Sequence, residues 1–509
     1  MFKNQPKGLI PAALANLGER FGFYTMMAIL VLFLQAKFGL SPTEAGTIYS
    51  TFYFCIYILA LIGGIIADKT HNFKGTICCG IVLMALGYVM LAIPSKTPVS
   101  SQTLFLTITC IALFIIAFGN GLFKGNLQAL VGQMYDNPKY EKMRDSGFSL
   151  FYMFINIGAI FAPMAAVGVR NWWLSLYGYQ YNADLPALCH AQLDGKLSAD
   201  AAANFHDLAN SVAATPVSDF TAFANDYLNC FTEGFHYAFG VAIIAMVVSL
   251  VIYLVNTKKF PNPTSKAASS ADAKAGISQM SVQEVRQRMY ALFAVFGVVI
   301  FFWFSFHQNG LTLTLFAKQY TDLHVFGMPI SVELFQSLNP FFVVFLTPVI
   351  MAIFAWQRRR GCEPSTPKKI AIGMAVAALA YLVMTVGSYV ADLPLFSSFD
   401  PETGGTGVSP VKVTPWLLFF TYLILTVAEL YISPLGISFV SKVAPPKYQG
   451  IMQGGWLGAT AIGNQLLLIG AILYESIPIW MTWMVFMVAC TISMVTMLVM
   501  LKWLEKVAK

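Results

Sequence analysis

The sequence predicts an all-α polytopic membrane protein with 12 transmembrane helices in two six-helix bundles, and three observations lead there. Of its 509 residues, 57% are hydrophobic and only 11% charged, a balance foreign to soluble globular chains. Apolar runs of the roughly 20 residues that a bilayer requires recur from one end to the other. The longest polar cytoplasmic-type break falls near the middle and divides those runs into two sets of six.

The runs lie at about 9–35, 47–67, 75–93, 103–131, 146–169, 235–255, 290–316, 332–356, 370–391, 414–440, 451–474 and 477–501. The first is not a cleavable leader, because Glu19 and Arg20 interrupt it and it continues well past them. The net charge of +7 does not point to nucleic acid. With a cytoplasmic N-terminus, most Lys and Arg fall in cytoplasmic segments, notably Lys258, Lys259, Lys266, Lys274, Arg286 and Arg288, and Arg358 to Arg360 with Lys368 and Lys369. That is the positive-inside distribution. It places both termini in the cytoplasm and predicts a multi-pass plasma-membrane protein, in the inner membrane if the cell is Gram-negative.

Three domains follow: residues 1–256 as the first bundle, 257–289 as a cytoplasmic linker and 290–509 as the second bundle. The linker carries Pro261, Pro263 and a Ser/Ala/Lys-rich stretch, a composition without a core. Near its end Ser281 and Glu284 have capping-box spacing, which predicts a short surface helix before span seven. Residues 170–234, between spans five and six, form a long polar extracytoplasmic insertion holding Cys189 and Cys230. An oxidising exterior permits a disulfide between them; two free thiols are the alternative. The other six cysteines show no metal-ligand spacing. Gly121 with Gly125 and Gly454 with Gly458 have the spacing of close helix contacts.

Ionisable groups inside spans are costly and normally face a cavity or a partner. Here they are Glu19 and Arg20 in span one, Lys124 in span four, His307 in span seven and Glu429 in span ten. Asn16, Glu19 and Arg20 share one helical face. Structural ion pairing and snorkelling to the interface are the competing explanations. Two cations in the first half and one carboxylate in the second make an axis suited to a zwitterion, whereas a purely cationic or anionic solute leaves one pole unpaired. Amino acids or peptides fit that axis.

Several motifs, in order, resemble the proton-dependent oligopeptide transporter family of the major facilitator superfamily. They are Glu19-Arg20-Phe21-Gly22-Phe23-Tyr24, the Gly63 to Lys69 loop, Asp145 to Gly158, Phe302-Trp303 with Gln308, Leu338-Asn339-Pro340, Glu429 to Pro434, and Gly455-Trp456. The resemblance implies the fold of that superfamily. It also implies that Arg20 and Lys124 attract a peptide carboxylate, that Asn156, Asn339 and Glu429 receive its amino group, and that Tyr24, Tyr57, Trp303 and Trp456 line the pocket. The two extra helices that many bacterial members carry between their halves do not fit the short polar linker.

The proton-handling positions depart from the family pattern. Asn16 stands where the family has a glutamate, Met27 where it has an arginine, and His307 where it has an acid. The last two commonly pair across the outer gate. Losing both is nearly neutral, whereas losing one strands a buried charge. The joint change predicts an outer gate closed by apolar contact and a histidine hydrogen bond, with His307 taking over part of the proton step.

The function expected is import of di- and tripeptides by proton symport through alternating access, by a monomer with no cofactor. Alternatives are a peptide facilitator, a carrier of another small solute such as nitrate, and, from another class, a membrane peptide receptor using the insertion. No metal cluster, nucleophile motif or carboxylate pair points to an enzyme. An accessory insertion predicts that transport survives its deletion.

Overall fold

A computed structural model describes residues 5–135, 137, 139–140, 144–261, 281–445 and 448–507. Among them, 12 helices are long and apolar enough to cross a membrane. In the first half these are α1 (Leu9–Phe38), α2 (Pro42–Thr70), α3 (Phe73–Ala92), α4 (Gln102–Met134), α5 (Arg144–Leu176) and, after the short helices α6 (Leu185–Leu193) and α7 (Ala199–Val212), α8 (Phe220–Val255). Span seven is α9 (Val282–Phe306), a 3-10 turn at His307–Gly310 and α10 (Thr312–Tyr320). There follow α11 (Leu338–Arg359), α12 (Thr366–Val390), α13 (Trp416–Val443), span eleven as α14 (Gln449–Gln465) and α15 (Leu467–Ser476), and α16 (Ile479–Val507).

Local chemistry explains the sharp turn between the first two spans. Gly39 takes φ 64 at the end of α1 and returns its N–H to Gln35, a left-handed cap that glycine adopts without a Cβ clash. Two residues later Ser41 opens α2 with a full capping box to Glu44, and Pro42 occupies the first turn.

Two span starts differ from the sequence expectation. Span six begins at Phe220, not near 235, because Asp219 caps it and the polar stretch after it is an amphipathic helix. Its Phe223, Tyr227 and Phe231 recur every fourth residue and are buried. Span seven begins at Val282, with Ser281 accepting from the Glu284 N–H. Only half of the predicted capping box forms, since the Glu284 carboxylate turns to Arg288 at 3.1 Å. Residues 262–280 of the expected linker, including Lys266 and Lys274, lie outside the described residues.

The first half packs α1 against α5 and α8, and α4 against α2 and α3. Gly121 does allow close approach: a Cβ there would sit 2.5 Å from the Leu59 carbonyl, and one at Gly63 would sit 2.2 Å from the Gly121 carbonyl. Gly125 and Gly458 have nothing within 4 Å, so the expected pairs at four-residue spacing are not the contact points. In the second half α12 packs against α13 and α16, and α9 against α14 and α16. The halves meet where α2 touches α14 and α15, and where α5 touches α11.

Cys189 and Cys230 are free, buried thiols, so the expected disulfide does not form. Their segment is closed without one. Phe205 meets Phe220 and Phe223 at ring distances of 6.0 Å, and Tyr179 meets Tyr227 at 5.5 Å. Asn182 accepts a second tie from the Leu185 N–H, while its own N–H donates to the Tyr227 hydroxyl. Each thiol is absorbed into this apolar packing.

Candidate functional site: a central cavity between the halves

A cavity of ≈ 280 Å³ lies between the halves. From the first half it is lined by residues of α1, α2, α4 and α5, and from the second by residues of span seven, α11, α13 and α14. Of the residues singled out in the sequence, Tyr24, Met27, Tyr57, Lys124, Asn156, Trp303, His307, Asn339, Glu429 and Trp456 all reach it. The fold brings together positions more than 400 residues apart in the chain.

Arg20, expected to attract a substrate carboxylate, is placed differently. It does not line the cavity. Its guanidinium binds Glu19 through both oxygens, at 2.5 Å and 2.6 Å, and lies 4.6 Å from the Phe23 ring. Glu19 takes a third bond from Asn120 at 2.8 Å. Both groups are buried, Glu19 completely. A cation already held bidentately by its neighbour has little capacity left for a substrate, and the α1 backbone keeps the two residues together. Asn16 is buried behind them with its side-chain amide nitrogen unpartnered, and like Glu19 it lies outside the cavity lining.

Lys124 remains the cation facing the cavity from the first half. Its Nζ sits 5.0 Å from the Tyr57 ring centroid, a cation–π contact, and among the described residues it makes no ion pair. From the second half comes the Glu429 carboxylate, to which Asn339 donates at 2.9 Å. Asn339 also donates to Thr426 at 3.0 Å, so its role is to orient Glu429, and its amide is already engaged. Asn156 donates to the Tyr152 carbonyl one turn earlier at 3.0 Å, which leaves its side-chain oxygen for a ligand.

His307 sits at the 3-10 break of span seven. Its Nδ1 meets Asn464 Oδ1 at 2.5 Å, and its ring stacks on Trp303 at 4.8 Å and lies 4.7 Å from Tyr53. The sequence reading missed much of the aromatic wall: Tyr49, Tyr53, Tyr152, Phe306 and Tyr422 also line the cavity. The signal was present in α2, where Tyr49, Tyr53 and Tyr57 recur every fourth residue and therefore share a face.

The end of the bundle away from the termini is closed, and not as expected. His307 does make a hydrogen bond, but to Asn464 of its own half; what joins the halves here is an ion pair that the sequence reading did not anticipate. Arg170 of α5 binds Glu333, in the 3-10 turn Val332–Ser337 ahead of α11, and both side chains are buried. Arg170 also donates to Ser331 at 3.1 Å. Beside it Ser337 donates to the Ile160 carbonyl at 2.9 Å, Lys318 to Gln35 at 3.1 Å, and the Thr43 N–H to Glu475 at 3.3 Å. Sequence reading overlooked Arg170 because it falls at the predicted end of a span, where a cation normally snorkels to water.

A 12-span bundle enclosing a charged, aromatic cavity between two halves, sealed at one end, is built as a membrane transporter. The profile of the POT family matches residues 74–278 and 264–484, and the chain belongs to that family. It is 28% identical over 490 residues to the peptide transporter YePEPT of Yersinia enterocolitica, covering 91% of this chain and 87% of that protein. It is 27% identical over 506 residues to the di-/tripeptide transporter of Lactococcus lactis, covering 91% and 89%. Among solved structures it resembles a peptide transporter POT in complex with sulfate, with a TM-score of 0.71, 24% identity and coverage of 100% and 96%. A POT family transporter in complex with 5-aminolevulinic acid matches at 0.71, with 22% identity and coverage of 100% and 98%. These structural likenesses show that the chain shares the fold of those two structures.

Proposed function

We propose that the chain imports di- and tripeptides by proton symport, alternating access being made by the 1–256 and 290–509 halves. The observation that carries this reading is the pair of opposed charges left available in the cavity, Lys124 on one wall and Glu429 on the other, amid aromatic surface. A peptide carboxylate satisfies the first and its ammonium the second, and either charge buried without a counterpart is costly. The tyrosine and tryptophan faces accept varied side chains without demanding one. The names of the relatives agree with this substrate class. We assign Lys124 to the carboxylate, Glu429 oriented by Asn339 to the ammonium, and the Asn156 oxygen to a second bond from the substrate. The basic clusters assign both termini to the cytoplasm and the sealed end to the exterior; a monomer has the whole cavity.

Uptake of a labelled dipeptide into proteoliposomes, with and without an imposed inward proton gradient, tests this directly. The expected result is uptake that the gradient concentrates and excess unlabelled dipeptide blocks. Uptake equal in both conditions identifies a facilitator, and no uptake removes the peptide reading. Asn16 and Met27 carry no titratable group, so His307, the one of the three departures with an imidazole that can take up and release a proton, is the proton-step candidate. The His307→Gln variant is expected to flatten the pH profile of uptake; an unchanged profile removes His307 from the step.

A further inference from the structure

We infer that residues 177–219 form a strap across the two halves which, together with Arg170–Glu333, is the distal gate of the transporter. The strap is rooted in the first half. It leaves α5, enters α8, and places His190 Nε2 2.8 Å from the Ala36 carbonyl near the end of α1. Further contacts reach the second half, in the loop between α12 and α13. Lys196 pairs with Glu402 at 2.8 Å, Lys412 with Asp184 at 3.1 Å, and Asn204 donates to the Thr406 carbonyl at 3.0 Å. Leu188 packs so closely on Gly407 that a Cβ there would meet it at 2.1 Å.

The strap and the buried ion pair are one unit because Tyr181 of the strap lies over Arg170, 3.9 Å from guanidinium to ring centroid. Charge contact is incomplete on the partner side: Glu333 uses one oxygen, and Oε2 has no partner. A pair made by one oxygen across two bodies separates more readily than the bidentate Glu19–Arg20 pair within one helix. Opening the cavity at this end must part the halves, so it must break the Arg170–Glu333 pair and the strap contacts together. The inference rests on alternating access as proposed above, and it replaces the view of the insertion as an accessory.

Two measurements test it, the second independent of any substrate. In Asn204→Cys/Thr406→Cys, oxidation ties the strap to the second half. Dipeptide uptake is expected to fall at least tenfold in proportion to the bridged fraction and to return on reduction; bridged protein that transports at the reduced rate overturns the gate. The second uses protein whose Cys55, Cys78, Cys79, Cys110 and Cys362 are serine and whose buried Gln35 is cysteine. There, Lys196→Glu is expected to raise the labelling rate by a bulky maleimide about two- to fivefold, the scale of one exposed ion pair. Adding Glu402→Lys should restore the slow rate. Unchanged labelling in Lys196→Glu overturns the strap even if no peptide is found to be carried, while faster labelling without uptake faults only the peptide reading.

Discussion

The central cavity and the distal closure both hold buried charge, yet they treat it in opposite ways. At the closure, Arg170 finds Glu333 across the seam between halves. In the cavity, among the described residues, Lys124 has only an aromatic face and Glu429 only the amide of Asn339. A charge paired inside the protein is structural or gating, and a charge held ready without a counter-ion is a binding site waiting for one. Glu19–Arg20 shows the difference within the cavity's own wall: saturated along one helix, it has withdrawn from the lining.

The largest effect expected separates pairing from availability. Arg170→Leu strands the Glu333 carboxylate and is expected to cost about 3–5 kcal/mol, read as a lowered unfolding temperature in detergent. Arg170→Leu/Glu333→Leu should recover most of it. A double variant no better than the single one breaks the assignment of the two as a pair.

In the cavity the loss should appear in transport. Glu429→Gln removes one charge-assisted contact, worth about 1.5–3 kcal/mol, so uptake of a dipeptide with a free amino terminus is expected to fall roughly 10- to 100-fold. An N-acetylated dipeptide should be affected far less; equal losses for the two remove the ammonium assignment. The next comparison sets Lys124 against Arg20. Lys124→Gln is expected to raise KM for free dipeptides about tenfold while leaving the C-terminal amide analogue nearly unchanged. Arg20→Gln should instead lower stability through the stranded Glu19. A change in substrate preference on altering Arg20 would return that residue to the site.

The smallest effect lies at the membrane surface, where Glu363 bridges Arg358 at 2.7 Å and Lys369 at 2.6 Å. Hydrogen bonds from these two cations hold its carboxyl near a pKa of about 2, below the ordinary 4.5. A depressed folded-state pKa adds stability that is present above pH 4.5 and is lost as pH falls toward 2. Because Arg358 is largely exposed, Glu363→Gln is expected to cost below about 1 kcal/mol at neutral pH and only a small part of that near pH 2. Unfolding followed at both pH values checks the sign.

How much of this was written in the chain differs by level. The 12 spans and the identities of Lys124, Glu429 and His307 as charges in apolar helices were legible from the sequence, since hydropathy and buried charge are local properties. Tyr49 and Tyr53 were legible in principle from their period and were passed over, because an aromatic in a membrane helix is by default packing. Which charge pairs with which was not legible. Nothing local tells Arg20 to fold back on Glu19, or Arg170 to meet Glu333 more than 160 residues away. The same holds for the strap, whose short helices acquire their role only from the loop they cross. Sequence by itself determined the membrane class, the two sets of spans and the inventory of costly groups, because each follows from transfer free energy residue by residue. Tertiary structure alone decided which of those groups are satisfied and which stand open to a ligand, because satisfaction depends on distance and direction between segments that the chain order leaves far apart.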